Sequence, residues 1–255
     1  AFMAAYADFM TSEEANETAS EFIRNKIRGI VKDSATAELL APKQLFMCKR
    51  LCVGIDYYET YNRENVSLVD VSETVIDEIL PEGVRVGDQV YEADAIVLAT
   101  GFDAMTGALK RIDIRGVENA SLRDLWEDGP RAYLGLAISK FPNMFIITGP
   151  GSPSVLTNMI PSIEQHVNWI TDCLAHMQGQ GLSRVEPEPE AQETWVAHVN
   201  EIADLSMRST CSSWYLGSNV DGKPRVFMPY IGGFPAYTRK CDEIAAAGYA
   251  GFSFG

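Results

Sequence analysis

Lys49-Arg50 is a pair of adjacent cations on a short link, with Leu45-Phe46-Met47 before it and Leu51-Cys52-Val53 after it. Lysine acts as a point charge suited to a phosphate, whereas arginine presents a fixed, permanently charged fork to an oxyanion. Read alone, such a pair is ordinary surface charge. Trp214, within Ser213-Trp214-Tyr215-Leu216-Gly217-Ser218-Asn219, offers an apolar plate and one N–H donor, able to cover a nicotinamide or ribose. Read alone, it closes a loop. The run Ala95-Ile96-Val97-Leu98-Ala99-Thr100-Gly101 reads as a buried parallel strand whose carboxyl end, at Thr100 and Gly101, meets a cofactor. A second apolar run, Met144-Phe145-Ile146-Ile147-Thr148, leads into Gly149-Pro150-Gly151-Ser152-Pro153-Ser154 and then a helix with Pro161 in its first turn.

That last strand–loop–helix unit carries the strongest chemistry. Asn158 and Met159 stand at the head of its helix, where unpaired N–H groups and the positive end of the dipole favour negative charge. In a flavin site such a helix end faces the pyrimidine edge of the ring and stabilises the charge that reduced flavin carries near N1 and O2. Alone, the unit is a common turn; with the Ala-Thr-Gly strand upstream, the pattern favours flavin. Yet the sequence has no Gly-x-Gly-x-x-Gly turn to bring backbone against a pyrophosphate. It reads as the second half of a flavin enzyme whose phosphate-gripping first half is absent.

Composition narrows the remaining classes. A net charge of −14 over 255 residues argues against nucleic acid and anionic membrane surfaces as general partners. No apolar run reaches membrane-spanning length, and no basic-then-apolar leader is seen. The five cysteines, Cys48, Cys52, Cys173, Cys211 and Cys241, are odd in number and irregular in spacing, which predicts reduced, unpaired thiols in a cytoplasmic protein. His166, His176 and His198 have no carboxylate or cysteine at ligand spacing, so no metal is expected. No Gly-x-Ser-x-Gly elbow supports a hydrolase.

These residues need elements to hold them. Thr11-Ser12-Glu13-Glu14 supplies a cap and first-turn acids for a helix whose apolar positions are Phe22, Ile23, Ile27 and Ile30-Val31. Because the chain opens on Ala1-Phe2-Met3 without a cap, an upstream truncation is expected. Short strands are predicted over 66–70 and 75–79, followed by a hairpin over 81–91. The helix begun at Pro161 is predicted to bury Ile163, Val167, Ile170 and Leu174. Glu186-Pro187-Glu188-Pro189-Glu190 reads as a stiff, solvated linker, with helix resuming over 193–203 and a short helix near 241–247.

Taken in order, the segments at 48–66, 98–107 (Leu-Ala-Thr-Gly-Phe-Asp-Ala-Met-Thr-Gly), 112–116, 149–154, 162–170 and 222–228 (Gly-Lys-Pro-Arg-Val-Phe-Met) resemble the Baeyer–Villiger monooxygenases. The likeness is closest to the phenylacetone, cyclohexanone and steroid monooxygenase branch, and it covers essentially the whole chain. It implies an α/β chain carrying an incomplete two-dinucleotide-binding, Rossmann-like flavoprotein fold with a helical N-terminal segment. Residues 1–45 would be a helical insertion of the nicotinamide domain, 46–102 the C-terminal part of the NADP-binding domain, and 103–255 the C-terminal part of the FAD-binding domain. The implied cofactors are FAD and NADPH; the implied reaction inserts one oxygen from O2 beside a ketone carbonyl, through a C4a-peroxyflavin, giving an ester or lactone. Arg50 would stabilise the peroxyflavin anion, Lys49 would meet the NADPH 2′-phosphate, and Trp214 would hold the nicotinamide. Thr100, Gly101, Asn158 and Met159 would face cofactor, while Ser154, Val155, Leu156 and Met159 would shape the ketone pocket. The implied partner is an N-terminal half bearing the glycine-rich FAD and NADP fingerprints, and the isolated chain would be inactive. Two other readings stand beside this one: a related monooxygenase acting on sulfides or amines, and a non-catalytic remnant that binds a partner.

Overall fold

The computed structural model describes residues 8–153 and 156–255, so the early Ala1-Phe2-Met3 and the pair Ser154-Val155 lie outside the described residues. The chain is mixed helix and sheet and forms two compact units. The first consists of the chain up to Phe46 together with Leu51–Gly101; the second of Met47–Arg50 together with Phe102–Gly255.

In the first unit, helix α1 (Glu13–Ile30) starts at Ser12, whose side chain accepts from the Ala15 N–H, with Glu13 and Glu14 in the first turn. It packs Ile27 with Val31 and with Ala37 of α2 (Ser34–Leu40). Phe22 departs from the predicted face and is exposed, with Lys26 over its ring. Arg24 and Arg28 pair with Glu17, Glu21 and Glu38 across the outer surface. Buried Asn16 donates to the carbonyls of Phe9 and Phe46 and accepts from the Phe46 N–H at 2.9 Å. One side chain therefore meets both backbone groups of the residue that precedes the Met47–Arg50 link. After α3 (Tyr57–Thr60), strands β1 (Ile76–Leu80), β2 (Gly83–Val86) and β3 (Gln89–Glu92) form an antiparallel meander, turning between β2 and β3 at Gly87-Asp88.

Two predicted strands of this unit are absent. Residues 66–70 and 95–99 are irregular, and Val97 is 88% and Leu98 72% exposed. A parallel strand is stabilised by ladders on its flanks and cover on its faces, and no described strand pairs with 95–99.

After Phe102 the second unit continues with short helices α4 (Gly107–Arg111) and α5 (Leu122–Leu125). Its main core lies among α6 (Met159–Gln180), α7 (Pro189–Asp204) and α8 (Phe234–Ala246), joining Trp169, Cys173 and Met177 to Trp195, Tyr237 and Ile244. Pro161 sits in the first turn of α6, as its missing N–H requires. The predicted stripe is corrected: α6 buries Ser162, His166, Trp169, Cys173 and Met177, whereas Val167 and Leu174 are 46% and 49% exposed. The supposed linker is corrected too. Val185–Pro187 is strand β4, paired antiparallel with β5 (Phe252–Phe254), and Pro189 opens α7 four residues earlier than predicted. The predicted strand over 144–148 is reduced to a single bridge, Ala137 to Phe145.

Candidate functional site

The Gly-Pro-Gly loop is fixed from every side. The Gly151 N–H donates to the Met228 carbonyl at 2.7 Å, and the Gly151 carbonyl accepts from Trp195 Nε1 of α7 at 3.1 Å. Ser152 is buried; its hydroxyl donates to the Gly149 carbonyl and its own carbonyl accepts from the Tyr230 N–H. A Cβ at Gly149 would stand 2.5 Å from the Gly135 carbonyl oxygen, so a side chain is excluded there by backbone. Thr148, at φ 56°, points its N–H at Nδ1 of His166 at 2.9 Å. Nε2 of His166 then donates to the Tyr237 hydroxyl oxygen at 3.0 Å, because that hydroxyl donates onward to the Leu134 carbonyl. Burial pushes the imidazole pKa down to about 4, so it is neutral at physiological pH. His166, the eighth residue of α6, thereby links the helix to the Thr148 backbone.

At the head of α6, the Asn158 side chain caps the Ile160 N–H. Met159 lines a cleft of about 510 Å³ together with Trp214, Met105, Leu109, Met144, Thr148 and Gly149. Arg50 is exposed and its Nη1 lies 3.4 Å from the Thr157 carbonyl, one residue before the cap. Lys49 is exposed beside it. Leu156 and Trp214, both partly buried, pack against Tyr215, Leu216 and Phe227.

The structure thus brings Arg50, Asn158, Met159, Leu156 and Trp214 to one end of α6. Thr100 and Gly101 belong to the first unit and are exposed. Ser154 and Val155, predicted pocket residues, lie outside the described residues.

Several contacts around this site escaped the sequence reading. The expectation of unpaired thiols is corrected, because Cys48 is bonded to Cys211 with their Cα atoms 5.7 Å apart across 163 residues. Arg208, its pKa lowered by burial, donates from Nε to the Met47 carbonyl at 3.1 Å. Lys223 pairs with Asp103 and donates to the Ala104 carbonyl, while Asn219 donates to the Phe102 carbonyl. Those last contacts fasten the stretch after Ala-Thr-Gly to the Gly217–Lys223 turn, a segment whose Gly-Lys-Pro-Arg run was visible without its partner. Among the described residues no group of three His, Cys, Asp or Glu side chains is placed to hold a metal, and no helix is long and apolar enough to cross a membrane.

No protein-family model matches the chain. Individual relatives do. A Baeyer-Villiger monooxygenase of Pseudooceanicola batsensis is 42% identical over 245 residues, covering 96% of this chain and 44% of that protein. Phenazine N-monooxygenase PhzNO1 of Lysobacter antibioticus is 41% identical over 248 residues, covering 97% and 45%. The solved structure of an oxidised steroid monooxygenase bound to NADP superposes with a TM-score of 0.91 at 46% identity, covering 99% of this chain and 48% of that one. The chain spans about half the length of the curated relatives it matches. By sequence and by fold together, the chain is similar to somewhat under half of the length of Baeyer–Villiger monooxygenases.

Proposed function

We propose that this chain supplies the C-terminal part of an FAD- and NADPH-dependent monooxygenase of Baeyer–Villiger type. The observation that carries the reading is the meeting of Arg50 with the head of α6, where Met159 and Trp214 line one cleft. The fit to a flavin is chemical as well as spatial: the cleft is apolar along Met105, Leu109 and Met144, and a helix N-terminus with first-turn N–H donors stands at its edge. Reduced flavin, when bound, supplies activation of O2 for insertion beside a ketone carbonyl, giving an ester or lactone.

The chain's own residues do the rest. The Arg50 guanidinium offers its fork of donors and its positive charge to an anion forming near Thr157. Lys49 takes the 2′-phosphate of NADPH, and Trp214 covers the nicotinamide portion. Asn158 and Met159 present the start of α6 to the flavin edge, and Thr100 and Gly101 contact cofactor from the nicotinamide side. Leu156 and Met159, with Ser154 and Val155, set the room left for the ketone.

We assign 1–45 to a helical insertion, 46–102 to the C-terminal part of the NADP-binding domain and 103–255 to that of the FAD-binding domain, giving together an incomplete Rossmann-like pair. The partner is a polypeptide segment carrying the glycine-rich FAD and NADP fingerprints. Exposed apolar side chains, Val97 and Leu98 in one unit and Phe102, Ile160 and Val167 in the other, support a partner of that kind.

The test is reconstitution. The chain is co-expressed with the fingerprint-bearing half of a relative and purified, and flavin absorbance, intact masses and NADPH-driven ketone products are recorded. Ester formation by a yellow two-component complex supports the reading; a colourless chain that never associates with that half argues for the non-catalytic alternative. The identity with a phenazine N-monooxygenase favours one second reading, oxidation at nitrogen. The mass and fragmentation of the product, N-oxide against ester, separates the two.

A further inference from the structure

We propose that Cys48 and Cys211 are a reversible thiol–disulfide pair which, with Arg208, straps the Met47–Arg50 segment in the position that aims Arg50. The inference rests on the reading of Arg50 given above. Flanked on both sides by residues of the first unit, these four residues nonetheless belong to the second. Besides the Arg50 contact with the Thr157 carbonyl, two contacts hold the start of the segment there. The Arg208 guanidinium donates to the Met47 carbonyl, and the next residue, Cys48, is bridged to Cys211. Both anchors come from a single short turn, Met207–Thr210, which ends at Cys211. Arg50 lies two residues beyond one sulfur and Trp214 three beyond the other. One S–S bond therefore joins the two segments assigned to anion stabilisation and nicotinamide contact.

The other thiols are chemically distinct. Burial pushes Cys173 up to about 11 and Cys241 up to about 12, which keeps both protonated and inert, while Cys52 is exposed. Both members of the pair are buried, at 3% for Cys48 and 8% for Cys211. With hydrogen peroxide, each thiol gives up its hydrogen, the S–S bond forms, the O–O bond breaks, and two electrons and two protons leave in two molecules of water. A dithiol reverses the step, its thiolate attacking one sulfur and ending as its own disulfide with both electrons returned.

The strap is tested on the chain itself, poised in dithiothreitol or in peroxide and quenched with alkylating reagent under denaturing conditions. Peptide mass spectrometry is expected to find Cys48 linked to Cys211 after peroxide, both alkylated after dithiothreitol, and Cys52 alkylated in each case. Positioning is read by trypsin, for which Lys49 and Arg50 are the cleavage residues. Cleavage there is expected to be about tenfold faster in Cys211→Ser than in the bridged protein, with cleavage after Lys110 and Arg111 unchanged. Should Cys211→Ser fold poorly, hydrogen exchange over 47–50 in the dithiol and disulfide forms of the unaltered chain gives the same comparison. Cys48 and Cys211 alkylated after peroxide, or equal cleavage in both forms, overturns the inference whatever Arg50 does. A bridged, protected pair in a complex whose Arg50→Ala variant still forms ester overturns the role of Arg50 and leaves the strap standing.

Discussion

At the scale of single residues, charge and proton position decide the chemistry. Arg50→Ala in the reconstituted flavoprotein is expected to lower ester formation by about 100-fold or more, while the rate of flavin reduction by NADPH stays within about twofold. Arg50→Lys keeps the charge and loses the fork, and is expected to recover little of the loss. Undiminished ester formation in either variant would remove Arg50 from the reaction. His166 sets a different test. Its pKa is about 4 in the folded chain against an ordinary 6.5, so between those values the unfolded chain binds the extra proton. Stability contributed by the neutral imidazole is complete above pH 6.5 and falls as pH drops toward 4, by about 3 kcal/mol in all. Denaturant unfolding across this window is expected to show that loss in the parent and a flatter profile in His166→Gln. Lys49-Arg50 and Trp214 were legible because their chemistry is local to the side chain. Cys48 with Cys211, Arg208 with Met47 and Asp103 with Lys223 were not, since each pairing spans more than a hundred residues and only the fold creates it.

At the scale of elements, α6 shows how periodicity can fit two faces at once. Ile163, Val167, Ile170 and Leu174 repeat at helical spacing, and so do Ser162, His166, Trp169, Cys173 and Met177. The second face wins although it contains a serine and a histidine, because His166 meets both of its hydrogen-bonding needs with Thr148 and Tyr237. Trp169 adds an indole N–H that finds the Cys241 carbonyl at 3.0 Å. Apolar counting alone cannot see such satisfaction. Trp169→Ala is accordingly expected to cost about 3–5 kcal/mol in this chain, and Val167→Ser less than about 1, by chemical denaturation. The reverse order would mean that the other face is the buried one. Capping and turn chemistry were more legible: Ser12, Pro161 and the Gly87-Asp88 turn each stand where local sequence rules put them. Residues 95–99 have the composition of a strand and form none, because sheet pairing is supplied by neighbours and not by the strand's own residues.

At the scale of the whole molecule, the chain keeps two kinds of surface. Acidic groups dominate its formal charge, yet Val97, Leu98, Phe102, Ile160 and Val167 stand exposed. Large apolar side chains left in water bind apolar dyes and one another. The purified chain is expected to enhance anilinonaphthalene fluorescence and to elute larger than 28.1 kDa, both effects receding when the fingerprint-bearing half is supplied. A monodisperse, dye-silent chain would mean that these side chains need no cover. The path of Met47–Arg50 has its own consequence for how the molecule is made. During synthesis the Met47 carbonyl emerges 161 residues ahead of the Arg208 that holds it. At 5–20 residues per second, that delay is roughly 8–32 s. The first unit can fold through Asn16 and Phe46 while the following four residues remain without their anchor. The ribosome thus releases this link early and the second unit claims it late, so the anchor that sets Arg50 is made long after the first unit has been synthesised.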